Sequence, residues 1–228
     1  MKTAITLGMP HLNNQGLDEI WLLKHLGELH WKMLDKVIEV TNPRTFYASF
    51  FNVSINFDTD QSYYREFDKL KIESKLLKFN NKIFRSVHTF ENGIVTMDSI
   101  FVVKNKDGDL EKHLPVFKDV EVESIEIDLD DFQKAKKNFE VRKTNQIVLP
   151  FKNLFNDAKI LYFANFLFLV HQSEILENQV EDTRPIRKLK IKYFGNMKIG
   201  DFIEANSTDG VTKIFANKKQ ICHCEIER

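Results

Sequence analysis

Two hydroxyl side chains share a predicted strand with large apolar residues, and a hydroxyl in that setting can bind or attack a substrate. The stretch TFYASFFNVSINFD alternates with a period of two from Tyr47 onward, which predicts a strand with one face towards a core. Tyr47 and Ser49 would share that face with Phe51 and Val53. Either both hydroxyls are satisfied within the core, or the core contains a pocket that uses them. A phenol becomes a nucleophile only beside a base, a cation or an oxyanion hole.

A carboxylate and an imidazole lie two residues apart on the first predicted helix. Glu28 and His30 could serve acid–base chemistry. Residues two apart on a helix point about 200° away from each other, so at most one of them faces a given site. A hydrogen-bonded core histidine is the ordinary interpretation of His30, and a role in the site is the alternative.

Three polar residues precede the second predicted helix. Asn153, Asn156 and Asp157 are side chains that commonly cap a helix N-terminus, which needs no further function. The amides at such a terminus can also polarise a carbonyl group. Asn156 is therefore the second candidate for a catalytic residue, after Tyr47.

The remaining chemistry-bearing patterns are weak. Cys222 and Cys224 flank His223, but no second ligand pair with zinc spacing occurs, so we expect a structural last strand and no metal site. The sequence has no Walker loop, no Rossmann glycine pattern and no serine nucleophile elbow. ATPase, dehydrogenase and zinc-hydrolase functions are therefore disfavoured.

Composition restricts the partners and the compartment. The 228 residues contain 33 Lys plus Arg and 33 Asp plus Glu, so we expect neither nucleic acid nor a membrane as partner. The 20 phenylalanines indicate a core or pocket lined by aromatic rings. Two cysteines, no signal peptide and no apolar run of spanning length predict a cytoplasmic protein.

The elements that would position these residues occur twice. A helix over residues 16–38 is followed by antiparallel strands, and a largely apolar helix over residues 156–176 is followed by strands again. The segments REFDKLKIES and MKIGDFIEAN align, which places Asp68 opposite Asp201. Repeats of this length indicate duplicated domains.

The connector between the two halves is rich in charge. It spans residues 105–150, and seven acidic residues lie between Asp119 and Asp131. A solvated surface segment is the ordinary interpretation, and an acidic docking strip for a partner is the alternative.

One long buried helix followed by an antiparallel meander is the element order of a hot-dog domain. We therefore predict an α+β double hot-dog fold, with a first domain over residues 1–118, a connector over 119–150 and a second domain over 151–228. Two unrelated α+β domains or a ferredoxin-like pair are the alternatives. Both would need a second amphipathic helix in each half.

The sequence also resembles a family of bacterial hot-dog proteins from biosynthetic gene clusters. The matches in the first half are Gly16, Leu17, Glu19, Trp21, Leu22, Leu23, Lys24, Gly27, His30 and Trp31, while Asp18 and Glu28 stand in place of Ser and Asp. The matches in the second half are Asn156, Leu161, Tyr162, Phe163 and Ala164, and the YFGN stretch Tyr193–Asn196 and the Gly200–Asp201 pair also look like family features. Leu154 and Asp157 depart from the family pattern.

This resemblance implies processing of an acyl thioester. A more distant similarity to the acyltransferase/decarboxylase of the leinamycin pathway implies acyl transfer, with or without decarboxylation, through Tyr47 as the acylated residue and Asn156 as a second catalytic group. The expected substrate-binding residues are Glu19, His30, Trp31, Ser49, Asn153 and Tyr162. A non-catalytic module that binds a carrier-bound acyl group and a thioesterase are the alternatives. Leu154 at the position of an acid argues against an ordinary hot-dog thioesterase mechanism.

The same resemblance implies the ligands and partners. We expect no permanently bound cofactor, with acyl-CoA or an acyl-phosphopantetheine group on an acyl carrier protein as substrate. Exposed sheet edges would favour pairing of two chains into a homodimer.

Overall fold

The computed structural model describes residues 1–13, 16–39, 46–58, 64–105, 110–127, 129–137, 145–147, 154–155, 160–178 and 184–228. The helices are α1 (Glu19–Val37), α2 (Asp130–Lys137) and α3 (Phe166–Asn178). The strands are β1 (Lys2–Thr6), β2 (Leu12–Asn13), β3 (Gly16–Leu17), β4 (Ile38–Glu39), β5 (Phe46–Phe57), β6 (Lys69–Lys78), β7 (Ile83–Phe90), β8 (Gly93–Lys104), β9 (Leu110–Lys112), β10 (Val116–Phe117), β11 (Asn145–Ile147), β12 (Lys188–Tyr193), β13 (Ile203–Thr208), β14 (Val211–Ala216) and β15 (Lys219–Glu227).

Eleven of the described strands form one antiparallel sheet. Its order is β1-β6-β7-β8-β5-β12-β15-β14-β13-β11, with β9 beside β8. Strands β1 and β5 to β9 form one side and β11 to β15 the other, and the two sides join where β5 pairs with β12. Each side has one long helix against the same core, as expected for the predicted double hot-dog fold. Within the described residues, no helix is long and apolar enough to cross a membrane.

Helix α1 forms where the apolar spacing predicts it. The Asp18 side chain caps it by accepting a hydrogen bond of 2.6 Å from the Trp21 backbone N–H. Leu22, Leu26 and Leu29 recur at helical spacing and are fully or almost fully buried. The helix therefore buries one apolar face in the core.

The second helix begins later than predicted. Its α-helical part starts at Phe166 rather than near Asn156, after one 3-10 turn over Phe163–Asn165. The backbone N–H of Leu161 donates to the Met197 carbonyl and that of Tyr162 donates to the Leu154 carbonyl. These hydrogen bonds hold Leu161 and Tyr162 outside the helix, which the apolar run alone could not indicate.

Strand β5 contains a β-bulge that changes which face its residues share. The register passes from Phe50 opposite Ser99 to Asn52 opposite Asp98, so Phe51 is the extra residue. Val53 and Phe50 face α1, but Tyr47 lies on the opposite phase of the strand. The predicted common face for Tyr47, Ser49, Phe51 and Val53 is therefore wrong.

Two turns preserve the predicted internal repeat in atomic detail. The Asp68 carboxylate accepts from the Arg65 backbone N–H at 2.8 Å, and the Asp201 carboxylate accepts from the Lys198 N–H at 2.7 Å. The residue before each aspartate has a positive φ, 71° at Phe67 and 96° at Gly200. Equivalent turns therefore precede β6 in the first half and β13 in the second half. The predicted domain boundaries stay a prediction.

Candidate functional site

A cavity of about 780 Å³ lies where the two halves of the sheet part. Strands β5 and β12 pair from Lys188 opposite Asn56 to Lys192 opposite Asn52, which is the last pair described between them. Beyond this pair, residues 46–51 of β5 border the cavity and have no described pairing with β12. We call this divergence of β5 and β12 the fork, and the cavity beside it the fork cavity. Aromatic rings dominate its lining: Trp31, Phe46, Tyr47, Phe50, Phe51, Tyr162, Phe163, Phe166, Tyr193 and Phe194.

A carboxylate and a phenol both line this cavity. Glu28 reaches it from α1, and Tyr162 reaches it from the turn before α3. Burial raises the pKa of Tyr162 to about 12, and the Glu28 carboxylate adds to this shift. The Tyr162 phenol therefore keeps its proton at neutral pH and can donate a hydrogen bond within the cavity.

Gly27 allows this approach between α1 and the second half. A Cβ at Gly27 would lie 2.9 Å from the Tyr162 hydroxyl and 2.9 Å from a carbon of the Phe163 ring. The absence of a side chain in the middle of the helix lets Tyr162 and Phe163 lie against the α1 backbone. This contact places the phenol next to the turn of helix that carries Glu28.

Tyr47 and Ser49 also line the cavity, but from the other side of the sheet. Tyr47 is opposite Val102 and Ser49 is opposite Ile100, and both partners line the same cavity. Phe50, by contrast, lies against His30 and Phe163 on the α1 side. The cavity thus extends around the free edge of β5, and both hydroxyls border its outer part.

Polar and cationic groups complete the lining. Lys32 on α1, Lys112 on β9 and Asn196 after β12 all border the cavity. The side-chain amide oxygen of Asn196 accepts a 2.8 Å hydrogen bond from the Met197 backbone N–H, which fixes the orientation of this side chain. The Tyr193 hydroxyl already donates a hydrogen bond of 3.1 Å to the Phe163 backbone carbonyl, so its proton is engaged within the protein.

His30 lies in the core rather than in the cavity lining. It is fully buried, and its ring nitrogens each lie 2.7 Å from a serine hydroxyl, Ser86 on β7 and Ser99 on β8. The Ser86 hydroxyl also contacts His88, whose other nitrogen contacts Ser74. This Ser99–His30–Ser86–His88–Ser74 network fixes α1 on the sheet. Glu28 faces the cavity instead. This agrees with the helical spacing, which allows at most one of Glu28 and His30 to face the same site.

The other predicted site residues are distributed as follows. Trp31 and Tyr162 line the cavity with Tyr47 and Ser49. Glu19 is buried at the start of α1, outside the cavity lining, with its carboxylate 3.5 Å from the Asn13 amide. Asn153 and Asn156 lie outside the described residues.

Two residues that line the cavity were not predicted as site residues. The sequence indicated Glu28 only as a possible acid–base group and Asn196 only as part of a family match. The YFGN stretch was the available signal for Asn196, and all four of its residues, Tyr193–Asn196, line the cavity. Lys32 and Lys112 had no signal, because their positions depend on the pairing of β9 with β8 and on the rotation of α1. The two cysteines are fully buried thiols on β15, and burial raises the pKa of both.

Comparison with known proteins establishes the fold. No protein-family profile and no curated protein sequence matches the chain. A 12:0-ACP thioesterase from Umbellularia californica superimposes with a TM-score of 0.71 at 9% identity, over 100% of this chain and 96% of that one. An acyl-ACP thioesterase from Bacteroides thetaiotaomicron superimposes with a TM-score of 0.67 at 11% identity, over 99% and 96%. The chain has the double hot-dog fold, and its candidate site lies at the junction of the two units.

Proposed function

We propose that this protein binds an acyl thioester in the fork cavity and cleaves it. The observation that carries the proposal is the aromatic cavity into which Glu28 and the protonated Tyr162 both project. Two structures of the same fold carry names that specify acyl-ACP thioesterases, which agrees with this substrate class. The substrate would be acyl-CoA or an acyl group on a carrier protein, and Lys32 and Lys112 are suited to contact the phosphate that both share.

The geometry supports hydrolysis as the reaction. The Glu28 carboxylate takes a proton from water, and the water oxygen forms a bond to the thioester carbonyl carbon. The Tyr162 O–H donates a hydrogen bond to the carbonyl oxygen as negative charge develops on it. The carbon–sulfur bond then breaks, and the proton held by Glu28 passes to the leaving thiolate. The apolar rings hold the acyl chain and exclude bulk water.

Acyl transfer is the second candidate function. Tyr47 lines the same cavity, and the resemblance to the leinamycin-pathway enzyme supports an acylated tyrosine. In this version the Tyr47 oxygen displaces the thiol, and decarboxylation of a malonyl-type group precedes or follows the transfer. The non-catalytic form of the same proposal is a module that binds a carrier-bound acyl group without reacting with it. In each form we propose a cytoplasmic protein that forms a homodimer.

Thiol release and intact-protein mass, measured with a panel of acyl-CoAs that includes malonyl-CoA and methylmalonyl-CoA, test the proposal. Hydrolysis predicts CoA release without a lasting adduct, and E28Q should slow it by about a hundredfold or more. E66Q, which changes an exposed carboxylate outside the cavity, should retain the wild-type rate. An adduct that maps to Tyr47 and disappears in Y47F would establish acyl transfer instead. If the folded protein neither releases CoA nor forms an adduct, cleavage is wrong.

A further inference from the structure

The fork leaves a gap in the sheet beside the cavity. Phe51 is the bulged residue next to the last pair of β5, and Phe194 follows the end of β12. Both side chains line the cavity. They lie on the face of the sheet opposite α1, where Lys192 also lies beside Asn52. The cavity therefore reaches the outer face between these two rings.

Helix α2 of the connector lies over this gap. The Phe132 ring lies 5.5 Å from the Phe51 ring at 86° and 5.0 Å from the Phe194 ring at 58°. One connector residue thus contacts both rings that border the gap. Phe132 does not itself line the cavity, so it forms a second layer behind them.

A buried cation fixes α2 in this position. Lys192 is 2% exposed, and its amino group lies 2.8 Å from the Asp131 carboxylate. The same amino group donates to the Asp131 backbone carbonyl at 3.3 Å. Since a buried ammonium group needs a paired anion, this interaction holds the residue next to Phe132 against the sheet. The acidic end of the connector therefore contributes an internal ion pair.

We propose that Phe132 is a specificity-determining residue: it closes the outer end of the fork cavity and so limits the length of the apolar chain that the cavity accepts. The inference rests on the proposed function in that the occupant is an acyl chain. Removing the Phe132 ring frees Phe51 and Phe194 to separate, and the chain end then continues through the gap beneath α2. The connector thereby takes part in substrate selection.

Displacement of cis-parinaric acid by saturated fatty acids of increasing length tests this inference without requiring turnover. F132A should favour chains about two methylene groups longer, with roughly tenfold tighter binding of those chains than in the wild type. F132W should disfavour the longest chain that the wild type accepts. F117A is the matched control, because the Phe117 ring on β10 packs on Phe84 and does not line the cavity.

The outcomes separate the two proposals. A shift in preferred length with F132A but not with F117A supports the role of Phe132. Wild-type binding with an unchanged length profile in both Phe132 variants overturns that role and leaves the proposed function in place. A wild type that binds no chain of any length overturns both. Should F132A lose its native circular dichroism spectrum, F132L, which retains an apolar side chain, provides the same comparison.

Discussion

At the scale of single residues, the contact between Gly27 and Tyr162 is the point on which the candidate site depends. Alanine would raise the intrinsic helix propensity of α1 by about 1 kcal/mol. Its Cβ would, however, lie 2.9 Å from both the Tyr162 hydroxyl and the Phe163 ring, and overpacking of this kind costs about 1–3 kcal/mol. We expect G27A to lower the free energy of unfolding by about 1 kcal/mol and to weaken acyl-chain binding, measured by urea unfolding and probe displacement.

The control for this substitution is another glycine. A Cβ at Gly8 would meet its nearest neighbour, Pro10, at 3.9 Å, which is an ordinary contact. The backbone there is extended, with φ of −142°. G8A should therefore leave binding unchanged. If G27A binds acyl chains as tightly as the wild type, Tyr162 does not need its present position.

The residues of the site illustrate what sequence alone could decide. Helical spacing correctly required that Glu28 and His30 face different surroundings. It could not decide which one faces the cavity, because the rotation of α1 is fixed by Ser86 and Ser99, which are 56 and 69 residues away from His30 along the chain. Trp31 and Tyr162 were predicted as site residues and line the cavity.

At the scale of elements, the alternation of apolar and polar residues predicted strand β5. It did not predict which face of the sheet the residues before Phe51 occupy. One extra residue at Phe51 reverses the phase of all residues before it, so Tyr47 and Ser49 lie opposite to where the period placed them. A period-two pattern contains no signal for a bulge within an uninterrupted apolar run. The existence of the two long helices, the strands that follow each of them along the chain and the duplication could be predicted, because each follows from local periodicity over many residues.

The duplicated turns provide a paired test of this duplication. Phe67 and Gly200 occupy equivalent positions with positive φ. A Cβ at Gly200 would meet nothing within 4 Å, so G200A should be destabilising only through its backbone conformation, by about 1 kcal/mol. Phe67 is 81% exposed, so F67G loses almost no buried surface and relieves the strain of a positive φ. Glycine also raises the entropy of the unfolded chain, which offsets part of this gain, so F67G should be stabilising by about 0.5 kcal/mol in total.

Urea unfolding of the two single variants measures these changes. The opposite signs are the informative result, because a general loss of packing would make both variants less stable. Two destabilised variants would show that the turns are not equivalent in energy, despite their common hydrogen bonds to Asp68 and Asp201.

At the scale of the whole molecule, the buried histidines couple folding to pH. Burial lowers the pKa of His30 and of His88 from 6.5 to about 3, so both are neutral in the native protein. The unfolded chain binds protons at these groups below about pH 6.5, and the folded chain does not. Their contribution to stability is therefore fully present above pH 6.5 and decreases as the pH falls towards 3.

The magnitude is large enough to measure. Each histidine contributes a slope of about 1.4 kcal/mol per pH unit, which amounts to about 2 kcal/mol per histidine at pH 5 relative to neutral pH. Urea unfolding across this range should show the loss in the wild type. H88Q removes one titrating group, so its stability at neutral pH should be lower, but it should decrease less steeply with acid. H113Q, which changes an exposed histidine outside the Ser99–His30–Ser86–His88–Ser74 network, should lose stability with acid as steeply as the wild type. An H88Q slope equal to that of the wild type would mean that His88 does not control this dependence.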